Sequence, residues 1–291
     1  MTPAERHNGF TLIELLVALM ISSILAAIVF QFLGGQARFV EHQSAREETQ
    51  QTTRGALELI TNELRAIPPE GVEKAELGLI TARVPRFWGV VCLIDGVNIH
   101  LALPTGFDPS SFSVSASADY RPYFAADVQA VGGGGPAAWI DPVRVEYADD
   151  PASNSCLNLT AGVESRRVQL QSDISASLAV GNPAYVYDRI TYFTDDSDSY
   201  PGLWIKRRKG SDAAIAQPVA GPVSNGGLAF DYYNGANPAV ELDNFGTDGL
   251  AEAEREAIAR VDVIVSSESD RADANDPMTR TDTAAVSFRS Q

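Results

Sequence analysis

The chain has 291 residues, with 38 Asp and Glu against 22 Lys and Arg, and a formal net charge of -16. Because phosphate binding depends on Lys and Arg, this charge argues against nucleic acid as a main partner. An acidic surface instead fits a soluble, self-repelling head outside the cytoplasm, and the length allows one sizeable core plus a membrane anchor.

The N-terminus combines a short polar leader, residues 1–9, with an apolar run over residues 10–33. A helix of that length spans roughly 36 Å, which is enough to cross a bilayer. A secretory signal would have a shorter apolar region followed by a small-residue cleavage site. A plain single-pass anchor leaves Glu14, a carboxylate inside the apolar run, without an explanation. A processed membrane helix that later packs in a filament accounts for all of these features.

The helix is predicted to continue beyond the membrane as an amphipathic segment, residues 34–67. Apolar residues recur there at helical spacing and define one buried stripe. Gly34-Gly35 weakens the helix locally, and Pro68-Pro69 is predicted to end it because proline lacks an amide donor. The stripe consists of Leu57, Ile60, Leu64 and Ile67.

Residues 68–291 are predicted to form one β-rich head, because the apolar pattern changes to short alternating runs. Residues 104–162 are rich in Gly, Ser, Asp and Pro and are predicted to be mostly loops. A short helix is expected over Leu250–Ile258. The predicted strands are Leu79–Val84, Phe87–Ile94, Val97–Leu103, Val143–Ala148, Arg167–Gln171, Ala184–Phe193, Leu203–Lys206, Leu228–Tyr233, Ala259–Ser266 and Ala284–Phe288.

The chain has two cysteines, Cys92 and Cys156. If the head lies in an oxidising compartment, a disulfide between them is permitted. The alternative is that both are small buried apolar residues. Their wide separation does not resemble a metal site.

Two charged clusters are candidate binding sites in the head. Asp195, Asp196 and Asp198 offer carboxylate oxygens of the kind that calcium binds, although solvated turns are the more ordinary explanation. We therefore expect no cofactor, with calcium as a weak candidate. The run Lys206–Lys209 is predicted to be an exposed strand end, with contact to an acidic neighbour or an outside anion as the alternative.

The order Gly9-Phe10-Thr11-Leu12-Ile13-Glu14 resembles the N-terminus of type IV pilins and type II secretion pseudopilins. The resemblance implies an α+β, pilin-like fold, in which a long N-terminal helix packs on a mainly antiparallel β-sheet head. It also implies that prepilin peptidase cuts between Gly9 and Phe10 and methylates Phe10. Glu14 matches the glutamate at the fifth position of the mature family members. A buried acid and a buried amine relieve each other's desolvation cost, so Glu14 of an incoming subunit is expected to pair with Phe10 of a neighbour.

The large head suggests a minor subunit rather than a major pilin. Three stretches are similar to PilW-type minor pilins and the related J-class pseudopilins, namely 227–233, 258–265 and 286–289. The resemblance implies a single-pass protein of the bacterial inner membrane with a periplasmic head, later part of an extracellular pilus or a periplasmic pseudopilus. The implied partners are the lipid bilayer, prepilin peptidase, an inner-membrane assembly platform and other major and minor pilins or pseudopilins.

A tip adhesin and an enzyme are the two alternative functional classes to a minor pilin that primes assembly at or near the filament tip. A tip adhesin would bind through the loops of residues 104–162, but no aromatic cluster identifies a target. An enzyme is not expected, because no Gly-x-Ser-x-Gly, Ser-x-x-Lys or zinc-type histidine spacing occurs. His42 and His100 are predicted to lie on a helix and a strand respectively, so no shared catalytic site is predicted.

Overall fold

The computed structural model describes residues 11–68, 70–95, 98–103, 126–130, 138–146, 165–170, 179–196, 201–210, 216–269 and 278–288. Its first element is the helix α1 (Leu12–Leu64), whose 53 residues give a length of about 80 Å at the usual rise per residue. A second helix, α2 (Glu252–Glu256), is one turn long. The described strands are β1 (Val72–Glu76), β2 (Leu79–Asp95), β3 (Asn98–Ala102), β4 (Ala126–Ala130), β5 (Ala138–Glu146), β6 (Ser165–Leu170), β7 (Pro183–Asp196), β8 (Leu203–Lys209), β9 (Gln217–Asn234), β10 (Ile258–Ser269) and β11 (Met278–Ser287).

The described strands pair antiparallel and share two long members, β2 and β7. One arm of the sheet runs in the order β1-β2-β7-β8-β9-β10-β11. The other arm runs β2-β3-β6-β5-β4-β7, so that its six strands close into a ring. The predicted α+β fold, a long N-terminal helix followed by a mainly antiparallel sheet, is therefore confirmed.

The head packs on the C-terminal part of α1 along one stripe of small and apolar side chains. These side chains contact β9, β10 and β11. On β10, Val261, Val263 and Val265 alternate with half-buried residues, and all three are fully buried. Each such side chain contributes about 1.5–3 kcal/mol by leaving water. The buried helix residues are Ala45, Thr49, Thr53, Ala56, Ile60, Thr61 and Leu64.

The helix passes through the predicted weak point at Gly34-Gly35 without a break. Two glycines cost at most about 2 kcal/mol in helix propensity, which the flanking turns of a long helix offset. The helix ends at Leu64, and the amide of the C-cap Arg65 donates to the carbonyl of Thr61. The end therefore precedes the two prolines by one turn, and Ile67 is buried beyond the helix.

The strands differ from the predicted ones mainly in length and number. The two predicted strands on either side of Pro85 are one strand, β2, because a bulge between Pro85 and Phe87 accommodates the proline. β1 was not predicted, since its sequence Val-Glu-Lys-Ala-Glu is largely charged. β4 was not predicted either. Both β4 and β5 lie inside residues 104–162, which were expected to be mostly loops, and of β5 only residues 143–146 were predicted to form a strand. The helix expected over Leu250–Ile258 is the single turn α2.

Candidate functional site

Thr11 caps the N-terminus of α1 and binds Glu14 reciprocally. The Thr11 backbone has extended dihedral angles, φ -80° and ψ 151°, and its Oγ1 accepts a hydrogen bond from the Glu14 amide at 3.4 Å. In return, Glu14 Oε2 accepts from the Thr11 amide at 3.0 Å and from Thr11 Oγ1 at 2.9 Å. This is a capping box, in which two side chains satisfy backbone groups at a helix start. The sequence pattern Thr-x-x-Glu predicts this box, whereas we assigned Glu14 only to pairing with Phe10 of a neighbouring subunit.

The apolar part of α1 that follows Glu14 contacts no other element among the described residues. All side chains of residues 12–33 are exposed, including Leu12 at 83% and Phe30 at 74% of their accessible area. The helix is long and apolar enough to cross a membrane. An apolar surface of this size requires an apolar environment, such as a bilayer or other helices.

Of the residues predicted to take part in processing and assembly, the structure describes only Glu14. Gly9 and Phe10 lie outside the described residues, so the cleavage position stays a prediction. Cys92 lies on β2 and takes part in a disulfide. Because Cys156 lies outside the described residues, its pairing with Cys92 also stays a prediction.

The candidate calcium ligands include one carboxylate with a cationic partner. Asp195 Oδ2 lies 2.8 Å from Lys206 Nζ, and this bond lowers the pKa of Asp195. Asp196 is the last residue of β7, and Asp198 lies outside the described residues. Among the described residues, no group of three or more His, Cys, Asp or Glu side chains could hold a metal ion.

The prediction of an exposed strand end at Lys206–Lys209 is wrong. All four residues belong to β8 and are half-buried. Three of their partners lie on the preceding strand β7, and the fourth lies on α1, far away in the sequence. Lys206 binds Asp195, Arg207 binds Glu63 at 2.7 Å, Arg208 lies over the Phe193 ring at 5.5 Å, and Lys209 binds Asp188 at 3.0 Å.

Glu63, in the last turn of α1, is the polar anchor between the helix and the sheet. Its Oε1 and Oε2 accept from Arg207 Nη2 at 2.7 Å and Arg207 Nε at 3.1 Å. Its Oε2 also accepts from the Tyr192 hydroxyl at 2.6 Å. Burial, together with the adjacent carboxylate, raises the pKa of Tyr192. Burial alone would lower the pKa of Arg207, but the bonds to Glu63 outweigh it and raise that pKa. The anchor therefore holds a proton on the phenol and a charge on the guanidinium.

A second set of polar contacts joins α1 to β10 at the end of the interface nearer the N-terminus of the helix. The hydroxyls of Thr53 and Ser267 lie 2.7 Å apart, and Ser267 Oγ donates to the Thr49 carbonyl at 2.8 Å. Ser269 Oγ donates to Glu48 Oε2 at 3.0 Å. Since these groups are buried or half-buried, each bond prevents an unsatisfied polar atom. The interface thus has hydroxyl contacts at one end, and buried apolar side chains together with the Glu63 anchor at the other.

Residues 6–30 match the family model described as the prokaryotic N-terminal methylation motif. No curated protein and no solved structure matches the chain. The match includes Thr11 and Glu14 of the capping box and most of the exposed apolar segment. The motif supports a type IV pilin or pseudopilin precursor, which is a structural and non-enzymatic class of protein. It implies membrane anchoring, processing by prepilin peptidase and assembly with other pilins.

Proposed function

We propose that this chain is a minor pilin that is incorporated at or near the tip of a type IV pilus and primes its assembly. Prepilin peptidase cuts between Gly9 and Phe10 and methylates Phe10. The precursor is anchored in the inner membrane with its head in the periplasm, and an assembly platform transfers it into the filament. The observation that carries this proposal is the capped apolar helical segment of residues 12–33. It overlaps the methylation motif, and its side chains are exposed in the described part of the chain.

The geometry supports different roles for the two parts of α1, packing among other helices for the N-terminal part and attachment to the head for the C-terminal part. The N-terminal part presents apolar side chains in all directions, as a helix does when it packs among lipids and then among other helices. The C-terminal part is attached to the head by its buried stripe and by Glu63. The helix can therefore pack in a filament core while the head stays outside it.

Glu14 is proposed to direct the docking of one subunit against the next. Its two hydrogen bonds to Thr11 both use Oε2, so the carboxylate has capacity for another donor at Oε1. The amine that cleavage creates on Phe10 is such a donor, and burial in an apolar bundle strengthens the attraction between the two charges. A carboxylate and an amine at fixed positions on every subunit would set the axial stagger.

The test is to identify the N-terminus and the location of the protein in cells that make both prepilin peptidase and pili. Mass spectrometry is expected to find N-methylated Phe10 as the first residue, and sheared filaments are expected to contain the protein in small amounts. Deletion of the gene should reduce the number of pili. Normal pilus number with lost surface attachment would favour the adhesin, and location in a periplasmic pseudopilus would favour the J-class pseudopilin.

Gly9→Asp provides the processing control, because a side chain at Gly9 obstructs close approach of the peptide to the peptidase. We expect the precursor mass to persist in this variant. Asn8→Asp introduces the same charge one residue earlier and should still be processed. Mature protein from Gly9→Asp would contradict the proposed cleavage position.

A further inference from the structure

Arg208 differs from the other three cations of its run because no carboxylate binds it among the described residues. Its guanidinium lies over the Phe193 ring. Its Nε is buried and has no hydrogen-bond partner in the described part of the chain. A guanidinium carries five N–H donors and no acceptor, and a buried donor without a partner is costly. Because no described carboxylate binds the guanidinium, its terminal N–H groups can donate to an acceptor from outside.

Arg208 ends a row of four side chains that crosses four neighbouring strands. Lys74 on β1 is opposite Thr81 on β2, Thr81 is opposite Thr191 on β7, and Thr191 is opposite Arg208 on β8. Residues directly opposite each other in antiparallel strands share a face of the sheet. The row thus consists of two hydroxyls between two cations.

The two threonine hydroxyls leave one donor unused. Thr81 Oγ1 and Thr191 Oγ1 lie 3.0 Å apart, and the residues are 8% and 1% exposed. One hydroxyl donates its proton to the other oxygen, and the second proton then needs another acceptor. We find no such acceptor among the described residues. The two cations of the row and one of its two hydroxyls can therefore donate to a ligand.

The row lines an open cleft of about 530 Å³, which also contains Glu73, Arg189, Asp248 and Arg255. Glu73 is already bound by Arg83 and Arg189. Arg255 uses one N–H for the Leu250 carbonyl at 2.9 Å, so its other donors remain. Arg208 adds a further cation, as does Lys74, which binds Glu76 at 2.5 Å; Asp248 adds one carboxylate to the lining. On a chain of net charge -16, this cleft is a local concentration of positive charge.

We infer that this cleft binds a carboxylate side chain presented by a neighbouring subunit of the filament. The inference rests on the proposed function, because only assembly brings a second head against this face. A guanidinium and a carboxylate form paired, charge-assisted hydrogen bonds, and the hydroxyl row supplies a further donor. This chain itself has 38 Asp and Glu against 22 Lys and Arg, so a second copy beside the cleft would offer many such carboxylates. The cleft would then fix which face of each head meets the next.

The test uses the full chain in detergent micelles with a fluorescent tetraglutamate peptide as the probe. Binding is measured by fluorescence anisotropy at low ionic strength, where charges are screened least. Arg208→Gln is expected to weaken binding by about tenfold, as loss of one charge-assisted pair predicts. Arg280→Gln is the matched control, since Arg280 lies on β11, binds Asp282 and is outside the cleft. A tetraglutamine peptide should not bind.

Thr81→Val is the second variant, to be used also if Arg208→Gln fails to fold, and it should weaken binding as well. Equal losses in Arg208→Gln and Arg280→Gln, or no binding by the wild type, would overturn the inference. Inorganic phosphate is the third probe. If phosphate binds through Arg208 and the glutamate peptide does not, the cleft is a small-anion site and the inference about a subunit carboxylate is wrong.

Leader cleavage is measured in parallel, so that the two proposals can fail separately. If the wild type binds the peptide through Arg208 but keeps residues 1–9, the proposed function fails while the cleft remains a carboxylate site. If the protein is processed and enters filaments but does not bind the peptide, the proposed function stands and the cleft inference fails.

Discussion

Glu14 has one role at the start of α1 that the structure shows and a second role that the proposed function adds. One role is local, because the carboxylate accepts both hydrogen bonds of Thr11. The other is the proposed pairing with the amine of a neighbouring Phe10. A helix cap contributes typically about 1 kcal/mol, whereas an unpaired ion in an apolar bundle costs several. Loss of the cap alone should therefore be the milder change.

We expect Glu14→Val to be cleaved normally but to enter filaments poorly, because the neighbour's buried amine would lose its partner. Thr11→Val keeps the carboxylate and removes the hydroxyl of the capping box, so it serves as the matched control. The measurement is the amount of each variant in sheared filaments relative to the membrane fraction. If the two variants enter filaments equally poorly, the cap and not the pairing explains the requirement for Glu14.

The residue scale also shows which contacts a sequence can reveal. Thr11 and Glu14 are three residues apart, and their spacing alone predicts a capping box. Glu63 is separated by 129 residues from Tyr192 and by 144 from Arg207. Only the pairing of β7 with β8 beneath the helix brings these three together. For that reason the basic run was predicted to be an exposed strand end.

At the scale of elements, the attachment of α1 depends on a few buried apolar side chains close to its end. Ile60 is fully buried in the main core, together with Phe230 and Tyr232 of β9. The other end of the interface relies on the hydroxyls of Thr53 and Ser267. Each hydroxyl bond contributes only about 1 kcal/mol net. The apolar end therefore dominates the stability of docking.

We expect Ile60→Ala to lower the free energy of unfolding by about 2–5 kcal/mol, because it removes buried methylenes and leaves a cavity. Urea unfolding of the full chain in micelles, followed by tryptophan fluorescence, provides the measurement. Glu58→Ala, at an exposed position of the same helix turn, should change stability by less than about 0.5 kcal/mol. Similar losses in the two variants would show that the stripe does not hold the helix.

The elements themselves were predictable where local pattern and long-range pairing agree. The alternation in β10 correctly indicated a strand with one buried face. In β9, prolines and glycines at Pro218, Pro222 and Gly226 favour a loop, and only its second half was predicted. The first half is nevertheless a strand, because it pairs with β8, whereas the second half pairs with β10. Neighbouring strands therefore overrode the local preference.

At the scale of the whole molecule, buried tyrosine phenols make the stability of the fold decrease at alkaline pH. Burial raises the pKa of Tyr187, Tyr192 and Tyr232 above the ordinary value of about 10. The folded chain thus keeps protons that the unfolded chain loses above pH 10. The contribution of these groups is fully present below that pH and declines as the pH rises towards their folded pKa values.

We therefore expect the Tm to fall as the pH is raised above about 10, without a corresponding contribution from these phenols near neutrality. Circular dichroism of the full chain in micelles over a pH series measures this effect. Tyr192→Phe should flatten the decline, since it removes one of the three groups, although it also removes the bond to Glu63 and lowers the Tm at all pH values. An unchanged slope in this variant would contradict the assigned role of Tyr192.

The overall class followed from the sequence, but the closure of the sheet did not. A long apolar helix and alternating strands are local signals, and they correctly predicted an α+β fold. The ring depends on β2 and β7, which pair with each other along one edge. Along its opposite edge, β2 pairs with β1 and β3, and β7 pairs with β4 and β8. Such branching joins residues more than a hundred positions apart, for which a single sequence contains no periodic signal.

The exposed apolar segment of α1, residues 12–33, also restricts how the protein can leave a bilayer. Each large apolar side chain would cost about 1.5–3 kcal/mol if it were transferred into water, so a lone copy is effectively trapped in lipid. Departure from the bilayer and arrival among similar helices have to be a single event. Under the proposed function, the subunit could then join a filament only at its membrane-embedded base, and a copy lost from the tip outside the cell could not be replaced from solution.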